Sequence, residues 1–265
     1  MISQLRDRAL LKISGEDSQS FVQGQFSNNI DSISSKEIQI NAYCQHQGKI
    51  IALLWVFIKN DNFYLSFPKE LKEIVLSKLN MFKLMSKVSI EDVSLQINQY
   101  GLIDEKVEGC MKLKNNLSLF TTRKTLESSV DINLWEKACI DNDLPEIYLK
   151  NSEQFIPQAL NLDIDETGVS FTKGCYPGQE VVARMHYLGK PKRRLFYFSS
   201  KSEATIGDLI NVKDSKSLRP SGVILRVAKI DENYHLLATF EIQHINELAY
   251  LNGDHEKPLM IVDAK

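Results

Sequence analysis

Phe171-Thr172-Lys173-Gly174-Cys175-Tyr176-Pro177-Gly178-Gln179-Glu180-Val181-Val182-Ala183-Arg184 is the stretch on which the reading of this chain turns. Gly174 and Gly178 bracket one thiol, so the backbone is expected to turn sharply on both sides of Cys175. Residues 179–185 then have the spacing of a short helix, with Val181, Val182 and Met185 on its apolar side. Cys175 thus precedes a helix N-terminus, whose positive end, with Lys173 adjacent, favours a thiolate. A thiolate attacks electrophiles and binds soft metals. The same residues also fit a packed, inert thiol, and no neighbouring His or Asn completes a Cys–His nucleophile. Glu180 and Arg184 stand four apart, as a helical ion pair would, while His186 and Tyr187 read as a polar loop.

Upstream, strands and helices alternate. Residues 9–13 read as a strand, followed by a helix opening at Asp17 or Ser18, residue types that cap exposed N–H groups. The apolar run 50–58 reads as a strand buried on both faces, and Asn60-Asp61-Asn62 turns it into a second strand at 63–67. Pro68 suits the first position of a helix whose apolar face carries Leu71, Ile74, Val75, Leu79 and Phe82. Strand texture returns at 88–90, 95–103 and in a hairpin over 111–122, before a helix at 132–141 that carries Trp135. This pattern is α+β rather than a doubly wound parallel sheet. Beyond Pro191, short strands at 194–199, 209–212, 222–230, 234–242 and 259–262 read as a small antiparallel β-barrel. The expected organisation is therefore an α+β module over 1–190, with an internal break near 95–105, and a barrel over 191–265.

The bulk composition excludes several classes. With 265 residues, 43% hydrophobic and 25% charged, the chain is an ordinary globular one. A formal charge of −2 gives no overall attraction to nucleic acid or anionic membrane. The first eleven residues lack the apolar core of a signal peptide, and the nine residues of 50–58 are too few to span a bilayer as a helix. No membrane role and a cytoplasmic location are expected. Cys44, Cys110, Cys139 and Cys175 form no CxxC pair, and the five histidines do not cluster with them, so neither disulfides nor a stable metal site is expected.

A longer string surrounds the cysteine: Gln154-Phe155-Ile156-Pro157-Gln158-Ala159-Leu160-Asn161-Leu162-Asp163, then residues 168–184. With Leu11-Lys12-Ile13-Ser14-Gly15-Glu16-Asp17, Phe21-Val22-Gln23-Gly24-Gln25, Asn41-Ala42-Tyr43-Cys44 and Gly48-Lys49-Ile50, it resembles the YgfZ family, relatives of the glycine-cleavage aminomethyltransferase. The resemblance covers most of the chain to about Arg194. It implies an aminomethyltransferase-like fold in three parts around a central hole, faced by the motif cysteine. It also implies a protein that binds tetrahydrofolate or a derivative and supports assembly or repair of iron–sulfur clusters. The client enzymes include ones that thiolate tRNA, so the link to tRNA is indirect.

On that resemblance Cys175 is the nucleophile or transient ligand, supported by Lys173, Gly174, Tyr176, Gly178, Gln179, Glu180 and Arg184. The family's folate-facing tryptophans fall at Trp135, which is kept, and at Arg8, which is not tryptophan; its flat guanidinium can stack on a pterin or pair with the folate glutamate. Asn29 stands where family members often carry Asp. Without the resemblance, Trp135 reads as a core residue. Lys190, Lys192, Arg193 and Arg194 read as a solvated linker or as a docking patch for RNA or the folate tail. In the related transferase a carboxylate follows a glycine on a strand, whereas Gly48-Lys49-Ile50-Ile51-Ala52-Leu53 has no acid, which argues against ordinary aminomethyl transfer. The alternatives are a folate-dependent one-carbon transferase and a direct tRNA-binding module.

Overall fold

The computed structural model describes residues 1–213 and 219–263. In chain order, strands β1 (Ile2–Gln4) and β2 (Arg8–Ser14) lead into helix α1 (Ser18–Gln25). Strands β3 (Gln39–Cys44), β4 (Ile50–Lys59) and β5 (Asn62–Pro68) follow, then α2 (Lys72–Phe82) and β6 (Ser89–Asp92). Next come β7 (Asn98–Ile103), β8 (Met111–Lys114), β9 (Leu117–Thr122) and α3 (Ile132–Asp141). After the motif helix α4 (Gln179–Leu188) the chain continues as β10 (Arg193–Ser200), β11 (Leu209–Val212), β12 (Gly222–Ile230), β13 (Asn233–Glu241), β14 (Ala249–Leu251) and β15 (Pro258–Asp263).

Two antiparallel sheets and a closed barrel result. The first sheet runs β3-β4-β5-β2-β6, the second β1-β7-β9-β8, and the barrel β10-β13-β12-β11-β14-β15. The α+β class and the C-terminal barrel are as the sequence led one to expect. β4 is buried at every position from Ile50 to Phe57, which is why its apolar run shows no alternation. β1 and β14 escaped sequence reasoning because three residues are too few to show a period. β1 pairs with β7, so the first residues complete the second sheet. No described helix is long and apolar enough to cross a membrane.

Several local expectations need correction. Asp17 precedes α1 but does not cap it; its carboxylate accepts instead from the Lys87 amide at 2.7 Å. Pro68 closes β5, and a 3-10 turn over Lys69–Leu71 separates it from α2. Phe82, assigned to the buried face of α2, is 43% exposed, because α2 ends there and passes into another 3-10 turn. The strand expected from residue 95 begins at Asn98, and Leu95 stands in solvent.

α3 lies where the three bodies meet. Trp135 presses on the β7 backbone so closely that a Cβ on Gly101 would come within 2.4 Å of its ring. The edge of the same indole meets Trp55 of β4, with centroids 6.4 Å apart. A bulge in β12 fixes the barrel side of this junction. Ile224 and Val227 face the barrel interior, while the register shift between Ile224 and Arg226 leaves Leu225 and Arg226 outside.

Candidate functional site

The thiol loop is built onto two earlier segments. Ser27 holds it first: its hydroxyl donates to the Gly168 carbonyl (2.6 Å) and accepts from the Ala42 amide, and its carbonyl accepts from Ser170 N–H. Lys173 is buried and donates to the carbonyls of Gln23, Phe26 and Asn28, at the C-terminal end of α1, where a cation suits the helix dipole. Burial pushes the Lys173 pKa down to about 8, against which the three carbonyl contacts favour the ammonium. An ammonium has three N–H groups, so none is left for Cys175. Lys173 therefore positions the loop, its hydrogen bonds going to the α1 end and not to the thiol.

The two glycines differ in kind. Gly178 caps α4 with φ +84°, and a Cβ there would sit 2.5 Å from the Gln45 carbonyl oxygen and 2.7 Å from the Gly48 Cα. Backbone meets backbone here, and Gly48 itself has φ +74° against Val181. Gly174 has no such need: nothing lies within 4 Å of where its Cβ would be. Open space therefore adjoins Cys175 on one side, and a locked crossing stands on the other.

Cys175 is exposed, Cys110 is half-buried, and Cys44 and Cys139 are buried. Burial pushes the Cys44 thiol up to about 12 and raises Cys139 as well. Tyr176 turns inward beneath Lys173, 5.2 Å from the ammonium, and burial raises its phenol too. The Gln179 side-chain amide reaches the Lys173 carbonyl at 3.4 Å. Glu180 and Arg184 pair at 2.9 Å in solvent, an interaction of a few tenths of a kcal/mol. His186 and Tyr187 are not a loop, because α4 runs on through them. His186 stacks on Phe171 at 3.7 Å, and Tyr187 meets both edge-on.

The basic cluster is largely spent on structure. Arg193 binds the Pro220 carbonyl and Glu241, and Arg194 binds Asp163 and the Gln158 carbonyl. Lys190 and Lys192 alone of the four remain exposed, so no dense patch forms there. Asn29 accepts from the Gln23 side chain at 2.9 Å and from the Asp31 amide, a task an Asp oxygen would do equally.

A separate cavity of about 370 Å³ lies at the junction of the three bodies, lined by Arg8, Trp135, Glu136, Tyr148, Ile206 and Val227 among others. Cys175 is not among its lining residues. The Arg8 guanidinium lies 3.5 Å over the Trp55 ring and donates to the Ser66 hydroxyl (2.8 Å), the Ser66 carbonyl (2.9 Å) and Glu146. Glu146 is fully buried, and Arg226 of β12 also reaches it, at 3.4 Å. Arg226, 1% exposed, donates further to the Leu144 carbonyl (2.7 Å) and to Glu136 (2.6 Å). Two guanidinia and two carboxylates thus neutralise one another beside the cavity, as buried charges must. Sequence reasoning missed Glu136, Glu146 and Arg226. The available signal was an arginine inside the apolar run Val223-Ile224-Leu225-Arg226-Val227-Ala228, where a charge needs a buried partner.

The cavity suits a folate ring on its own features. Its volume is within the range of small-molecule pockets, and its walls combine Trp135, Tyr148 and aliphatic side chains with the polar Gln4, Arg6, Asp7, Arg8 and Glu136. Trp135 would flank the ring, and Glu136 would meet its polar atoms.

No protein-family model matches the chain. A Haemophilus influenzae protein named "Uncharacterized protein" is 34% identical over 235 residues, covering 84% of this chain and 82% of that one. The tRNA-modifying protein YgfZ of Aliivibrio fischeri (strain MJ11) is 27% identical over 274 residues, covering 89% and 83%. The crystal structure of glycine cleavage system aminomethyltransferase T from Bartonella henselae superposes with a TM-score of 0.66 over 99% of this chain and 84% of that one. At 10% identity that likeness establishes the fold alone.

Proposed function

We propose, from the premise that this chain belongs to the YgfZ family, that it binds a reduced folate in the Trp135 cavity and acts in the cytoplasm as an accessory protein for iron–sulfur enzymes. Cys175 serves as its nucleophile or transient ligand for iron or sulfur, and the tRNA-modifying enzymes among its clients give it an indirect role in tRNA modification. The observation that carries this reading is the state of the thiols. One cysteine is exposed on a loop pinned by Lys173 and Gly178, and the other three are buried or half-buried. A thiol kept accessible on a fixed loop suits hand-over of a soft cargo.

The resident chain offers little for aminomethyl transfer. β4 brings no acid, and the carboxylates near the cavity are already tied to Arg226, Arg8 and, for Asp7, Lys69. An ion-paired carboxylate binds and orients; it is poorly suited to take a proton. Bound folate would supply a one-carbon carrier and a planar ring, and Trp135 and Tyr148 would hold it away from water.

Two measurements test the proposal. Alkylation near neutral pH should label Cys175 first and Cys110 second, with Cys44 and Cys139 modified only on unfolding. In cells lacking the native protein, Cys175→Ser should fold normally yet fail to restore iron–sulfur enzyme activity. Full restoration by that variant would make the thiol structural.

A further inference from the structure

We infer that Glu136 reads the polar edge of the ring bound in the Trp135 cavity, and that Arg226 positions it. The ring it selects is a planar heterocycle with two adjacent neutral N–H donors, such as the 2-amino and N3–H edge of a pterin. This rests on the folate reading above and adds which group confers specificity.

Three observations lead there. Arg8 is occupied, with Nε, Nη1 and Nη2 each donating to Ser66 or Glu146 and its plane against Trp55. Glu146 is closed off, at 0% exposure, between Arg8 and Arg226. Glu136 is the member of the quartet that remains open, with a side chain 21% exposed where Arg226 is at 1%. It also lines the cavity. Its Oε2 accepts from Arg226, and no described group donates to Oε1.

The chemistry of the match is specific. An ionised carboxylate has about four acceptor positions, and Arg226 takes one of them. Two parallel N–H groups on a ring edge fit the remainder as an arginine fork would. The quartet is already neutral, so a neutral donor edge suffices and a cation is not called for. Arg226 cannot turn away to follow the ligand, because its Nε is fixed to Leu144 and its other arm to Glu146. Glu136 is thus held in one orientation before the ligand arrives.

The test uses the full-length protein, tryptophan fluorescence, and two probes: 5-formyltetrahydrofolate and its analogue with a methyl group replacing the 2-amino group. Wild type should prefer the amino compound by about 10-fold or more, the scale of a hydrogen bond to a charged group. Glu136→Gln should lower affinity for that compound by a similar factor and weaken the methyl analogue, which offers N3–H alone, by less, so that the preference falls to about threefold or less. Retained binding of the methyl analogue also shows that the pocket is intact, whereas a merely structural role for Glu136 would weaken both probes alike. A wild-type preference that persists in Glu136→Gln overturns the inference and leaves folate binding standing. Binding of neither probe to wild type overturns the folate reading, and this inference with it.

Discussion

Replacing Lys173 with Met tests whether this lysine builds the thiol loop or tunes the thiol. The substitution keeps the length and apolar stem of the side chain and deletes its three donors. Each charge-assisted hydrogen bond to Gln23, Phe26 or Asn28 is worth about 1.5 kcal/mol at the lower end of its range, or about 4–5 kcal/mol together. Against this stands the cost of burying the ammonium. The fall of its pKa from 10.5 to about 8 corresponds to about 3 kcal/mol against the charged form. The balance is a net loss of about 1–2 kcal/mol, or about 2–8 °C in Tm for a chain of this size. Thermal unfolding followed by circular dichroism measures it. Because the three N–H groups all go to carbonyls at the α1 end, the pH dependence of Cys175 alkylation should keep its midpoint even as the loop loosens. A variant as stable as wild type with a shifted alkylation midpoint would refute this account and restore Lys173 as the thiol's electrostatic partner.

Three further expectations follow from the geometry. Gly178→Ala should cost about 2–4 kcal/mol, through its positive φ and the contact with Gln45, whereas Gly174→Ala should stay within about 0.5 kcal/mol in the same denaturation assay. His235, hydrogen-bonded to Tyr197 at 2.6 Å, has its pKa lowered by burial and by Lys137, against a smaller opposing effect of Asp141. Below the ordinary histidine value the unfolded chain therefore binds the extra proton first. Stability should fall as pH drops through about 6.5 and level off below the folded value, and His235→Gln should remove that part of the slope in urea titrations at pH 5 and 7.5. Arg8→Trp should destabilise by about 3 kcal/mol because it strands one side of buried Glu146, and adding Glu146→Gln should recover much of the loss in a double-mutant cycle.

What the sequence made legible was whatever is encoded locally. The bracketed cysteine, the helix after it, the fully apolar β4 and the tryptophan-bearing α3 all follow from spacing within a dozen residues. What it hid was direction. Lys173 is next to Cys175 in the chain, but its side chain runs the other way, to carbonyls about 150 residues earlier, and adjacency gives no hint of that. Arg8, Glu146 and Arg226 are scattered over more than 200 positions and meet only because a β-bulge turns Arg226 out of the barrel.

This difference bears on how the Arg8 departure is read. A tryptophan at position 8 would need nothing but packing. An arginine there needs a carboxylate, and it finds one in Glu146; a fully buried Glu146 between two guanidinia is the arrangement that makes Arg8 tolerable. Arg8 also keeps an aromatic neighbour by lying flat on Trp55, so the cavity wall retains a planar surface at this position. The substitution therefore changes the wall's charge balance more than its shape. That shift falls on Arg226, which must serve two acids, and through Arg226 it reaches Glu136, the acid of the quartet that lines the cavity.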